Sequence, residues 1–222
     1  MQLISVDIAK AIWLFPLTEM NPTGRSLTQI FADIRKRYSF QKAPSHSLDY
    51  DSETKGLIFS EGEFINQKGE PILVKLSLFS DGAVAETWSS TTDSEGFLRD
   101  VMGWIHSEHG ISLPPDRTPR IFYLSHLTVS MSHKHGAVFS KLQQLSELLG
   151  QKLTASGRSN KGFVAGGFSL WAANWDENVA PAAYRFEIKA GSKPGENRYF
   201  SAAPLPTEAH MEMLKEQEQL LA

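Results

Sequence analysis

The stretch 70–90, EPILVKLSLFSDGAVAETWSS, holds two apolar runs separated by Asp81-Gly82. Asp-Gly between apolar runs is the strongest short-range sign of a β-hairpin, and its type I′ turn requires φ > 0 at both central positions. One hairpin earlier, GLIFSEGEFI (56–65) meets EPILVKLSLFS (70–80) around Asn66 to Gly69. Hairpins therefore dominate over β-α-β crossovers. That sets the expected class as α+β, mostly antiparallel sheet with helices packed on one side.

Residues 2–15 form a dense, β-branched apolar run without a helical stripe and read as a buried strand. After the turn NPTGRS (21–26), Leu27, Ile30, Phe31 and Ile34 repeat at helical spacing, with Arg35, Lys36 and Arg37 near the helix end. A polar loop, 42–56, leads to the hairpins. The strand AVAETWSS then runs into a helix with a capping box of Thr92 and Glu95, an apolar face of Phe97, Leu98, Val101, Met102 and Ile105, and a stop at Gly110. The loop SLPPDRTPR (112–120) is followed by the strand RIFYLSHLTVSM and a helix striped by Val138, Leu142, Leu145, Leu148 and Leu149. A glycine-rich loop, 157–167, leads to GFSLWAANW, after which YRFEIK alternates strictly and SKPGEN turns into RYFSA. Pro206 and Thr207 open a last helix whose expected buried side is Met213, Leu214, Leu220 and Leu221. The order is β-α-β-β-β-α twice. It predicts two similar halves in a single α+β domain over 1–222, with the Pro-rich loop 112–120 as the one candidate sub-domain boundary.

With 41% hydrophobic residues in 222, the chain can bury a sizeable core. A net charge of −3 gives no general attraction to nucleic acid or anionic lipid. There is no cysteine, which removes disulfides, thiolate metal sites and a cysteine nucleophile together. Asp7, Lys10 and Pro16 interrupt the apolar start, against a signal peptide, and no run is long enough to span a membrane. The expectation is a soluble, cytoplasmic protein.

In YLSHLTVSMSHKH (123–135), His126 and Thr128 sit two apart on a strand and so point the same way. This His-x-Thr segment resembles one half of the pattern in the two-histidine phosphoesterases, which set two such histidines across a cleft as base and acid on a phosphodiester. The resemblance implies two similar α+β lobes, with His126 and Thr128 acting on RNA ends or a cyclic nucleotide. That family carries the motif twice and this sequence carries it once. The remaining histidines stand in HSLD, HSEH, HGIS, HKHG, HGAV and HMEM.

Other chemistry is thin. His133 and His135 could chelate through one strand face, but His106 and His109 fall in a last helical turn, where the dipole favours them. No metal and no cofactor is expected. The loop GRSNKGFVAGGF has Phe163 where a phosphate-binding loop needs lysine, although Arg158 and Lys161 could touch an anion. Ser89, Ser90, Thr91 and Thr92 precede a helix N-terminus, a geometry that serves anion binding or self-capping equally. No nucleophile elbow, zinc-protease helix or paired acidic motif appears.

Charge is split along the chain. Residues 25–42 hold five basic residues against one acidic, and residues 207–222 hold four glutamates against one lysine. The terminal helix of one copy could meet the basic helix of another. The interface candidates are therefore Arg35, Lys36, Arg37, Met213, Leu214, Glu216 and Leu220. The leading expectation is a non-enzymatic binding or assembly subunit working through a protein partner or self-association. The phosphoesterase is the alternative, nucleic acid is not favoured, and no membrane is involved.

Overall fold

The computed structural model describes residues 1–21, 27–44, 56–114, 118–132, 140–156, 162–163, 165–173, 181–193 and 196–220. In chain order the elements are β1 (Gln2–Leu14), α1 (Leu17–Met20), α2 (Thr28–Arg37), β2 (Leu57–Ile65), β3 (Pro71–Phe79), β4 (Gly82–Thr87) and α3 (Thr91–His109). Then follow β5 (Arg120–Ser130), α4 (Ser140–Ala155), β6 (Gly167–Leu170), β7 (Tyr184–Ile188), β8 (Arg198–Ala203) and α5 (Thr207–Leu220). The strands form an eight-stranded antiparallel sheet in the order β2-β3-β4-β1-β5-β8-β7-β6. Within the first half of the chain the order is β2-β3-β4-β1, and within the second it is β6-β7-β8-β5. Each half thus lays its first strand beside its fourth, which is the repeated connectivity that the element order predicts.

The chain divides into two compact units, one of Val6–His126 with Pro204–Thr207, the other of Met1–Ser5, Leu127–Ala203 and Glu208–Ala222. In the first, side chains on one face of the strands, including Ala11, Trp13, Phe59, Val74, Leu76, Ala83 and Ala85, are buried with Ile30 and Ile34 of α2 and Phe97, Leu98, Val101 and Ile105 of α3. Phe97 is the hub, with ring centroids 5.0 Å from Tyr38 and 5.4 Å from Phe64. Strand β1 is therefore buried on one face here, since Ala9, Ala11 and Trp13 are buried while Ile8, Lys10 and Ile12 are half-buried.

In the second unit, Phe186 of β7 is fully buried and stacks on Tyr199 of β8 at 4.7 Å, while Arg185 and Glu187 stay exposed. The strict alternation of this strand is borne out. Helix α4 forms, but three residues of its predicted stripe are exposed, and the side chain of Leu142 lies outside the described ones. Gly150 is buried, while Leu145, Leu148 and Leu149 are 62%, 48% and 46% exposed. Val138 lies outside the described residues.

Two local readings need correction. The hairpin is present, but its two-residue loop is Ser80-Asp81, because Phe79 pairs with Gly82 across the ladder. Ser80, Asp81 and Gly82 are absent from the positive-φ positions, so the turn is not type I′. Gly82 is required for another reason: a Cβ there would lie 2.2 Å from the Trp13 carbonyl oxygen of the adjacent β1. The cap of α3 is also displaced. Ser90 is the N-cap, its Oγ accepting from the Asp93 amide at 3.0 Å. Glu95 instead meets Arg99 and accepts from the Tyr123 hydroxyl at 2.6 Å. Gly110 ends the helix with φ 62, as predicted.

These contacts separate two glycines. Gly82→Ala should destabilise by about 1–3 kcal/mol, because the backbone of β1 cannot yield cheaply. Gly103→Ala, on α3 with nothing within 4 Å of the added carbon, should stabilise by about 0.5–1 kcal/mol. Urea denaturation of both variants checks this, and a neutral Gly82→Ala would mean that the β1–β4 register is wrong.

Candidate functional site

On β5 the residues Ser125, Leu127 and Val129 are fully buried, and Ser125 Oγ donates to the Leu205 carbonyl at 3.0 Å. His126 is half-buried on the alternate positions, and Thr128 is 5% exposed. The other described histidines have settings of their own. His106 is exposed on α3, and His109 lies 3.6 Å from Asp33. His210 on α5 is fully buried with Nε2 2.9 Å from Ser201 Oγ. Among the described residues no three metal-ligating side chains cluster. His133 and His135 lie outside them, as do Arg158 and Lys161.

The hydroxyl run before α3 is engaged in fastening the chain. Besides the Ser90 cap, Thr91 and Thr207 exchange bonds. The Thr207 amide donates to Thr91 Oγ1 at 2.9 Å, and the Thr91 amide donates to Thr207 Oγ1 at 3.0 Å. Each side chain satisfies an amide that its partner's helix start leaves open. Ser89 Oγ reaches Thr87 Oγ1 at 3.4 Å, and Thr92 is the exposed member of the run.

The basic end of α2 is half structural. Arg37 lies over the rings of Tyr38 and Trp104 at 5.4 and 5.3 Å. Its Nε donates to the Tyr38 hydroxyl at 3.2 Å, and that hydroxyl donates to Asp100 at 2.6 Å. Burial first, then the Asp100 carboxylate, pushes Tyr38 far above the ordinary tyrosine range. Arg35 and Lys36 are exposed. An open cleft of about 580 Å³ lined by Asp33, Lys36, Arg37, Trp104, Glu108 and His109 mixes both charge signs. It offers no single-sign field to an anion.

The buried stripe of α5 differs from the expected one. His210 and Leu214 are fully buried, Met213 and Gln217 half-buried, Glu216 exposed, and Leu220 is 84% exposed. Leu214 is therefore core, while Glu216 and Leu220 are surface. Gln217 interrupts the apolar seam because its Oε1 accepts from the Tyr184 hydroxyl. Burial raises Tyr184 to about 12, against the lowering effect of its contacts with Ser201 and Gln217. Ser201 Oγ donates to the Arg185 carbonyl at 3.0 Å, which leaves it as acceptor for His210 Nε2–H. The HMEM sequence gave no sign of this pin. The spacing Thr207, His210, Leu214, Gln217 is its only trace.

The first unit leaves one feature without an internal role: the sheet face opposite the core. Ile58 and Ile65 of β2, Leu73 of β3 and Trp88 after β4 are 43%, 59%, 58% and 50% exposed there. Between them, in register across three strands, Lys10 and Lys75 flank Glu86, with Nζ to Oε2 distances of 3.0 and 3.9 Å. Neighbouring positions in the same strands place Ile12, Val84, Ser77 and Ile58 in one row. The face thus sets these apolar side chains around the ion triad, with exposed Glu63 opposite Leu73. No helix among the described residues is long and apolar enough to cross a membrane. No family model matches the chain, and no curated protein is detectably similar to it.

Two outcomes follow from this geometry. Thr207→Val removes the acceptor of the Thr91 amide and should cost about 1–2 kcal/mol, whereas Thr92→Val should stay within about 0.5 kcal/mol. Tyr123 is raised to about 12 by burial and the Glu95 carboxylate, and Tyr184 to about 12 by burial. Unfolded tyrosine ionises near about 10, so the stability from these neutral phenols is complete below that pH and is lost as pH rises towards 12. Stability measured against pH should fall over that window, and Tyr184→Phe should flatten the fall. A Tyr184→Phe curve identical to the parent would refute the burial of that hydroxyl.

Proposed function

We propose that this chain is a non-enzymatic, cytoplasmic binding or assembly subunit that works through protein–protein contacts. The observation that carries the reading is the open sheet face. Antiparallel sheets with one wet face place polar residues on it, yet here Ile58, Ile65, Leu73 and Trp88 are exposed together. Exposed apolar residues grouped on one face and set around paired charges fit the anatomy of a protein contact, with a large aromatic as anchor. A transferred phosphate, by contrast, would need fixed donors converging on it. The described hydroxyls at 90 and 91 are committed to backbone amides.

The experiment compares the parent with the double variant Leu73→Lys/Trp88→Lys in affinity capture from the source cell. Both side chains are at least half exposed, so the variant should keep its stability within about 0.5 kcal/mol per site. The expected outcome is one stoichiometric protein partner retained by the parent and lost by the variant. Assayed alongside, a 2′,3′-cyclic phosphate should not be hydrolysed. Metal-independent turnover that disappears in His126→Ala would replace this reading with the phosphoesterase.

A further inference from the structure

The two end strands of the sheet order are finished in opposite ways. Strand β2 is guarded in three ways. Lys42 bridges to Ser60, the Glu63 amide donates to the Tyr38 carbonyl at 2.8 Å, and the ladder slips between Phe59 and Gly62 where Glu61 takes φ 58. An ion pair of Lys42 with Glu61 adds charge to the same edge. Among the described residues, strand β6 has none of these: its one partner strand is β7 and no isolated bridge adjoins it, while Gly162 to Trp175 contains no charged residue. Leu170 and Trp171 at its end are 59% and 73% exposed. An uncharged, apolar terminal strand is a template for another strand.

We infer that β6 pairs antiparallel with β6 of a second copy, about a two-fold axis through Ser169. An identical edge is self-complementary in that arrangement. The register it dictates sets Ser169 opposite Ser169, Phe168 opposite Leu170 and Gly167 opposite Trp171. Each pairing has a physical reason. Phe168 already packs at 5.8 Å from Phe186 and 5.9 Å from Tyr184, and the opposing Leu170 extends that apolar cluster on the same face. Gly167 cannot carry a side chain, because a Cβ would lie 2.4 Å from the Phe186 carbonyl oxygen. The bare position it leaves on the edge is the kind that a cross-strand aromatic covers, here Trp171 of the other copy. Because β2 is guarded, pairing stops at two copies. A contact of so few residues is small, so the dimer should dissociate on the order of micromolar concentrations. The inference rests on the assembly reading but uses a different surface from the open sheet face.

The chain has no cysteine, which makes site-specific cross-linking free of background. Residues directly opposite across an antiparallel pair lie within disulfide reach, about 4.5–5.5 Å between Cα atoms. Under mild oxidation Ser169→Cys should form a covalent dimer roughly tenfold or more faster than Leu170→Cys, whose own counterpart in the other copy is out of register. Sedimentation equilibrium through the micromolar range should show a reversible dimer for the parent, and a monomer for Leu170→Lys and for Trp171→Lys with unchanged circular dichroism. Leu73→Lys/Trp88→Lys should remain dimeric. A parent that stays monomeric at hundreds of micromolar, or equal cross-linking at 169 and 170, overturns the β6 contact while leaving the open-face reading standing. A dimer lost only in Leu73→Lys/Trp88→Lys overturns it too, by moving self-association to the other face.

Discussion

Helix α3 lies close on strands β1 and β4 because the residues beneath it are short: Ala9 and Ala11 on one strand, Ala83 and Ala85 on the other, all buried. With only methyl groups between, Ser94 Oγ reaches through to the Ala9 carbonyl at 2.9 Å and shares a 3.0 Å contact with Thr87 Oγ1. That close approach sets the start of the helix, and the start sets where Thr91 can exchange amides with Thr207. A larger residue at any of the four alanines would lift the helix and break the polar contacts beneath it, a cost greater than the strain of the added carbons alone. The aromatic residues fill the volume that the alanines leave on either side, which is why Phe97 touches so many rings.

A sheet packed this way on one side still has a second side. In the unit built on β1–β4, that side carries Trp88, Leu73, Ile58 and Ile65 instead of an even polar coat. Glu86, only 9% exposed, stays tolerable because Lys10 and Lys75 stand on both neighbouring strands. The triad keeps paired charge in the middle of that face.

The repeated connectivity has been used differently in the two halves. Helix α2 follows the first strand of its half and seats Ile30 and Ile34 at 6% and 0% exposure. Helix α4 follows the first strand of the other half and turns the small residue Gly150 inward, leaving Leu145, Leu148 and Leu149 exposed. The guarded edge at β2 and the uncharged edge at β6 show the same divergence.

What the sequence determined by itself was the local and periodic part: the hairpins, the length of α3 and its stop at Gly110, the alternation of β7, and the twofold recurrence of β-α-β-β-β-α. Those depend on neighbours within a few residues, so pattern suffices. The tertiary structure decided everything set by a distant atom. Gly82 looked like a turn residue, yet the Trp13 carbonyl of another strand is what forbids a side chain there. Ser90, Thr91 and Thr92 were equivalent hydroxyls until Thr207 arrived from more than a hundred residues away to pair with one of them. Gln217 looked like an interruption of an apolar stripe and His210 carried no sign of a role, and both became fixed points only when Tyr184 and Ser201 were set beneath them. Periodicity could place Ile58, Leu73 and Trp88 on one face of a sheet, but it could not say which face the helices would cover. That choice belongs to the alanines of β1 and β4, because only short side chains let a helix approach closely enough to bury them.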